Sequence, residues 1–357
     1  MARKTEGGRL AYADLLRTFA ALAVVVLHLA GSRMGDVAVT SHAWQIFNLY
    51  DGLVRWCVPV FVMLSGMFML DPDRPLPLSK LLFHNALRVL VCLVVYGALY
   101  AVFGLWLEGG HLTWPGVKSA LWGVLRGNTH YHLWFLFMIL GLYLVTPILR
   151  AFCKGASKGD FHWFFLIAFL FVSLLPMTFR LWPNATAVVK VWYDRLDVQA
   201  VMGYVGYYVA GYYLRAYTIN RLVEAISYVL GILGAIVTVW GTATLSRQAG
   251  GLVDLFYGYF SPNVVASSVA VVVLFRYVLG VSEERSRRQR LMGLAKISFG
   301  IYLIHDLFIM LLRHFGITTL SFAPVASVPV LAAVVFLCSA VVAWLLSKIP
   351  FLGRWLT

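Results

Sequence analysis

Of the chain's 357 residues, 61% are hydrophobic and only 12% are charged, which leaves too little polar surface to cover a water-soluble globule of that size. The net charge of +14 resembles that of a nucleic-acid binder. In a chain this apolar, however, excess Lys and Arg first mark the loops that stay in the cytoplasm, and no nucleic-acid partner is expected. The expected fold is all-α, a polytopic integral membrane protein of about ten transmembrane helices whose surroundings are membrane lipids. Cys57, Cys92, Cys153 and Cys338 have neither CxxC spacing nor clustering, so they imply no metal site and no disulfide framework.

In chain order the apolar spans cover residues 14–32, 47–70, 85–107, 132–152, 161–179, 200–219, 222–245, 255–279, 296–316 and 323–347, each about long enough to cross a bilayer core. The first is no cleaved signal peptide, because its apolar core is long, it carries charge at its start and nine more spans follow. No repeat or low-complexity linker divides the chain, so one integral-membrane domain over residues 1–357 is expected, with no appended soluble domain. Placing the N-terminus in the cytoplasm assigns nineteen Lys and Arg residues to the cytoplasmic loops and eight to the outer ones, which favours that orientation and puts both termini inside. The basic run EERSRRQR in the eighth loop reads as an orientation signal against anionic lipid, with a cofactor-phosphate role as the alternative.

This orientation sorts the ionisable residues by depth. The first span, DLLRTFAALAVVVLHLAGS, carries Arg17 near its cytoplasmic end and His28 in its outer half; eleven residues at 1.5 Å each separate them by about 16 Å. Arg17, Lys80 and Arg88 form a lower level, and His28, Arg55, His132 and His305 an upper one. Ionisable groups inside a span are expensive and tend to be functional. Each still has a plainer reading. His305 could pair with Asp306, the arginines could snorkel to headgroups, and His132 with Trp134 could form an interfacial belt. Ser65-Gly66 and the glycines of GYVGYYVAG (Gly203, Gly206, Gly211) read as close-packing positions. No Gly-rich phosphate loop, HExxH or GxSxG motif is present.

Four stretches carry a family resemblance: Arg17 and His28 with ten residues between them, RWCVPVFVMLSGMFML (Arg55 to Leu70), HLWFLFMILGLYLVTPIL (His132 to Leu149) and ISFGIYLIH (Ile297 to His305). Together they resemble the acyltransferase-3 membrane acetyltransferases, in particular the stand-alone O-acetyltransferases of bacterial surface glycans of the enterobacterial common antigen type. The resemblance implies ten core helices in the cell inner (plasma) membrane. It also implies acetyl-CoA as cytoplasmic donor, and a glycan or lipid-linked sugar as acceptor on the outer side. Many members have two arginines three residues apart in the third span; here Asn85 stands at the first position and Arg88 at the second.

An acetyl thioester is already activated, so the chemistry asks chiefly for a base toward the acceptor hydroxyl. His28 is the candidate, as direct base or as acetyl carrier, with His305 beside it in the catalytic set and its substitution expected to be milder. Arg17, Arg88, Lys80 and Ser65 are the candidates for the coenzyme A side, and Arg55, His132, Trp134 and Tyr302 for the acceptor. No metal is expected. The competing readings are a transporter or flippase of the same architecture, using the buried His and Arg residues as a substrate or proton pathway, and an acyltransferase acting on a non-sugar acceptor.

Overall fold

The computed structural model of the protein describes residues 10–109, 112–198, 202–279 and 289–357. Residues 283–288 of the eighth-loop basic run lie outside them. In chain order the helices are α1 (Ala11–Gly31), α2 (His42–Val54), α3 (Cys57–Met69), α4 (Leu87–Gly109), α5 (Trp114–Leu125), α6 (Trp134–Gly155), α7 (Lys158–Ala168) and α8 (Leu175–Leu181). They continue as α9 (Ala187–Leu196), α10 (Val205–Ala216), α11 (Arg221–Ile236), α12 (Thr242–Ala249), α13 (Pro262–Leu274), α14 (Gln289–His314), α15 (Pro324–Lys348) and α16 (Pro350–Leu356). Short 3₁₀ and π turns join several of these into longer rods. Among the described residues nine such rods are long and apolar enough to cross a membrane. The protein is therefore an all-α, multi-pass membrane protein.

Three boundaries differ from the sequence expectation, each for a local reason. The span expected over 47–70 begins earlier, at His42, where the Ser41 side chain caps the backbone N–H of Trp44, and it is interrupted at Arg55-Trp56, between α2 and α3. Arg55 keeps helical backbone angles there and pairs with Asp51, one turn back, with Nε 2.6 Å from its Oδ1. The span expected over 200–219 is a twelve-residue helix, α10, and is not among the nine rods; residues 199–201 lie outside the described ones. Finally, α5 and α9 are extra helices in the connections before and after the spans of α6 and α7–α8. Thr113 caps α5 by accepting from Gly116 N–H, a polar cap-plus-Pro start that hydropathy alone does not reveal.

Helix α1 is the axis of the bundle, packed against α14, α2, α15 and α3. Its buried face is rich in small residues (Ala13, Ala20, Ala21, Ala23, Ala30), which lets neighbouring backbones approach in an apolar solvent that supplies little hydrophobic drive of its own. Helices α3 and α10 approach closely. A Cβ at Gly66 would overlap the carbonyl oxygen of Tyr208, and one at Gly211 would overlap that of Met63. The close-packing reading thus holds at Gly66 and Gly211; at Gly203 a Cβ would meet nothing within 4 Å. Gly66→Ala or Gly211→Ala is expected to cost about 1–3 kcal/mol or more by overpacking, read as a lower thermal midpoint of the detergent-purified protein. An unchanged midpoint would contradict this contact.

The far end of α3 is fastened by arginines from two other helices. Arg215 of α10 donates to Met67 O at 2.5 Å and pairs with Asp71 at 2.8 Å, while Arg150 of α6 donates to Met69 O and Arg74 O. Carbonyls left open at a helix C-terminus are natural acceptors for cations. This end lies on the same side of the bundle as Arg17, whose guanidinium stands over Phe68.

Candidate active site

Two cavities meet at His28. The first, of about 290 Å³, is bordered at one end by Arg17, Ser65, Asn85, Arg88 and Lys296 and at the other by His28, His132, Trp134 and Tyr302, with apolar walls such as Val24, Phe61 and Ile139 between. The second, of about 570 Å³, begins at His28, Trp134 and Tyr259 and is bordered by Asp51, Arg55, His130, Tyr131 and Asp306. Arg17 and His28, about 16 Å apart along α1, thus both border the first cavity, and His28 borders the second as well.

Nearly all the residues singled out by sequence lie on these walls. Arg17, Ser65 and Arg88 border the first cavity; His28, His132, Trp134 and Tyr302 border its opposite end; Arg55 borders the second. His305 is fully buried behind His28. Lys80 is exposed and borders neither cavity. Arg88 already has an internal partner: its guanidinium donates to Thr357 O, with Phe299 beneath it, and short helix α16 folds back so that Trp355 O and Leu356 O accept from Cys92 Sγ and Tyr96 OH. At the position of the missing arginine, the Asn85 amide contacts Met69 Sδ at 3.7 Å. The cavity gains a cation from another helix instead, Lys296 of α14.

The histidines form directed chains. His305 Nδ1 lies 2.6 Å from Tyr302 O, and a carbonyl can only accept, so this nitrogen carries the proton and His305 Nε2 is bare in the neutral ring. His28 Nδ1 lies 2.8 Å from that bare nitrogen and must donate to it. The network therefore assigns the tautomer of His28 and leaves its Nε2 as a free lone pair. Tyr100 fixes the partner helix by accepting from Leu307 N–H and donating to Leu303 O.

A second group sits beside the first. Asp306 does not pair with His305; its Oδ1 accepts from Tyr131 OH at 2.9 Å and its Oδ2 lies 3.3 Å from His130 Nε2. Burial pushes the His130 imidazole down to about 4, so the ring is neutral at pH 7 and its one proton belongs on the nitrogen facing the carboxylate. His130 Nδ1, then bare, lies 3.0 Å from His132 Nδ1, which donates to it. Tyr302 OH reaches across to His132 O at 2.5 Å, locking the turn that carries His130 and His132 against α14. Among the described residues, His28 with His305 and Asp306, and His130 with His132 and Asp306, have donor atoms within 4.8 Å of one another, as a cation site would. In the second set His130 turns its two nitrogens to opposite partners, which makes a hydrogen-bond chain and not a convergent ligand set.

His130, Tyr131 and Asp306 were not in the expected site set. Their signal in the sequence is the triplet His-Tyr-His immediately before a span, together with an Asp directly after His305.

The chain matches the family model described as an acyltransferase domain, acyltransferase-3, over residues 10–348. The chain belongs to the acyltransferase-3 family. No curated protein and no solved structure matches it. As a member of this family the protein is a membrane acyltransferase.

Proposed function

We propose that the protein moves an acetyl group from cytoplasmic acetyl-CoA to a hydroxyl of an envelope glycan or lipid-linked sugar on the outer side of the plasma membrane, with His28 as the base. The observation that carries this reading is that His28 borders both cavities, with Trp134 and Tyr259 shared beside it. The end of the first cavity holding Arg17, Arg88 and Lys296 suits coenzyme A phosphates, for which arginine offers charge-assisted, forked hydrogen bonds. The apolar walls between, such as Val24, Phe61 and Ile139, suit the pantetheine arm. The second cavity, with Trp134, Tyr131 and Tyr259 among charged residues, suits a sugar, whose apolar face stacks on rings while its hydroxyls take polar partners.

In the reaction, His28 Nε2 removes the proton of the acceptor hydroxyl as its oxygen attacks the thioester carbonyl; a C–O bond forms, the C–S bond breaks, and its electron pair leaves on sulfur. The bare Nε2 assigned by the hydrogen-bond chain is the atom this step needs. The charge distribution of the loops supports the cytoplasm as the donor side.

The test uses membrane vesicles of both orientations from cells making the protein, with labelled acetyl-CoA supplied from outside. Inside-out vesicles are expected to label envelope glycan and sealed right-side-out vesicles to label none. Label in right-side-out vesicles alone would reverse the sidedness, and no glycan label in either would remove this acceptor class.

A further inference from the structure

We propose that His132 is a second catalytic residue, the proton donor to the departing thiolate, supported in that task by His130 and Asp306 acting as positioning residues. The proposal rests on the acetyl-transfer reading above and assigns the half of the reaction that His28 leaves open. His132 is 1% exposed, borders the first cavity, and its Nε2 is buried without a hydrogen-bond partner. A buried polar nitrogen without a partner is costly unless something fills the place in the working state.

The two chains are built alike. In one, the Tyr302 carbonyl holds His305, which holds His28; in the other, the Asp306 carboxylate faces His130, which holds His132. Each ends in an imidazole whose Nε2 is open, and the two terminal rings stand 6.1 Å apart between centroids. They differ at the anchor. The first ends on a neutral carbonyl. The second ends on an acid, so a proton added to His132 Nε2 is compensated by the Asp306 carboxylate through His130. The ring with the neutral anchor suits the base, and the ring with the acidic anchor suits the acid. Around them stand Tyr100, stacked on His130 at 4.4 Å, and Tyr302, edge-on to His132, while Tyr131 holds the other carboxylate oxygen.

A thiolate released into a cavity with apolar walls lacks the water that would stabilise it, so protonation at the moment of C–S cleavage is of value there. The step starts with His132 as the imidazolium, its added proton on Nε2 balanced by the Asp306 carboxylate through His130; that proton passes to sulfur as the C–S electron pair leaves, giving the thiol and the neutral ring with its proton on Nδ1. The proton taken by His28 from the acceptor hydroxyl then returns to His132 through the cavity that both rings border. No proton is gained or lost over the cycle.

The test compares two donors that share the coenzyme A body, acetyl-CoA and acetyl-seleno-CoA. A selenol is far more acidic than a thiol and leaves without help. Purified protein in detergent, with water as the acceptor, is followed by mass spectrometry of the released coenzyme. His132→Gln is expected to lose about 10²-fold or more in kcat with acetyl-CoA and little with the selenoester, while His28→Ala loses with both. Asp306→Asn should reproduce the donor-selective loss, and it carries the test should His132→Gln fail to give a monodisperse protein. Equal losses on the two donors, or no loss on acetyl-CoA, overturn the assignment of His132. A wild-type protein that releases coenzyme from neither donor would instead sink the acetyl-CoA reading itself.

Discussion

Replacing His28 by alanine is expected to lower acetyl transfer by about 10²- to 10⁴-fold, the range a positioned proton acceptor contributes, with the thermal midpoint and detergent behaviour of the protein retained. His28 borders both cavities, so its removal widens a space that is already open and leaves no sealed void. It does strand the bare Nε2 of His305, a single acceptor, in the wall. The binding of coenzyme A should change little, because Arg17 lies about 16 Å from His28 along α1 by the helical rise and the cations that border the first cavity with it, Arg88 and Lys296, come from other helices. The informative measurement is therefore kcat against KM for acetyl-CoA: kcat falls and KM stays. A His28→Ala protein that transfers acetyl groups at the wild-type rate would show that the base lies elsewhere.

How far this site was legible in the sequence depends on whether its signal was local or made by folding. Arg17 and His28 lie on one helix, so their separation follows from the rise per residue. The close approach at Gly66 and Gly211 was also legible as small residues in apolar spans, although only the fold tells which of several glycines make contact. The hydrogen-bond chains were not foreseeable, because they join α1, α14 and the turn before α6, residues separated by up to 277 positions. Hydropathy also treats Asp306 and His305 as adjacent polar residues on one rod. Successive helical positions point in different directions, and the structure sends His305 to α1 and Asp306 to Tyr131 and His130. For the same reason Lys296 read only as an orientation charge, since nothing in its neighbours announces that α14 brings it to the cavity holding Arg88.

Substitution of His305 is the second large effect, and here the structure revises an expectation. The sequence places His305 with His28 in the catalytic set, with a milder loss expected on its substitution. With Nε2 2.8 Å from His28 Nδ1, its task is to accept that proton and so hold His28 in the tautomer whose Nε2 is basic. His305→Ala leaves a buried N–H without an acceptor and allows the His28 proton to move to Nε2, where it disables the base. The expected loss in kcat is then about 10²-fold or more, comparable to removing a proton-transfer group outright, with KM for acetyl-CoA unchanged. His305→Gln, whose side-chain oxygen can still accept from His28 Nδ1–H, should recover part of the rate. The decisive comparison is the double variant. If His305 acts only through His28, His28→Ala with His305→Ala is no slower than His28→Ala alone, because one unit cannot be lost twice. Multiplying losses would mean that His305 has a role of its own in the transfer, and the chain from Tyr302 to His28 would not be the reason for its effect.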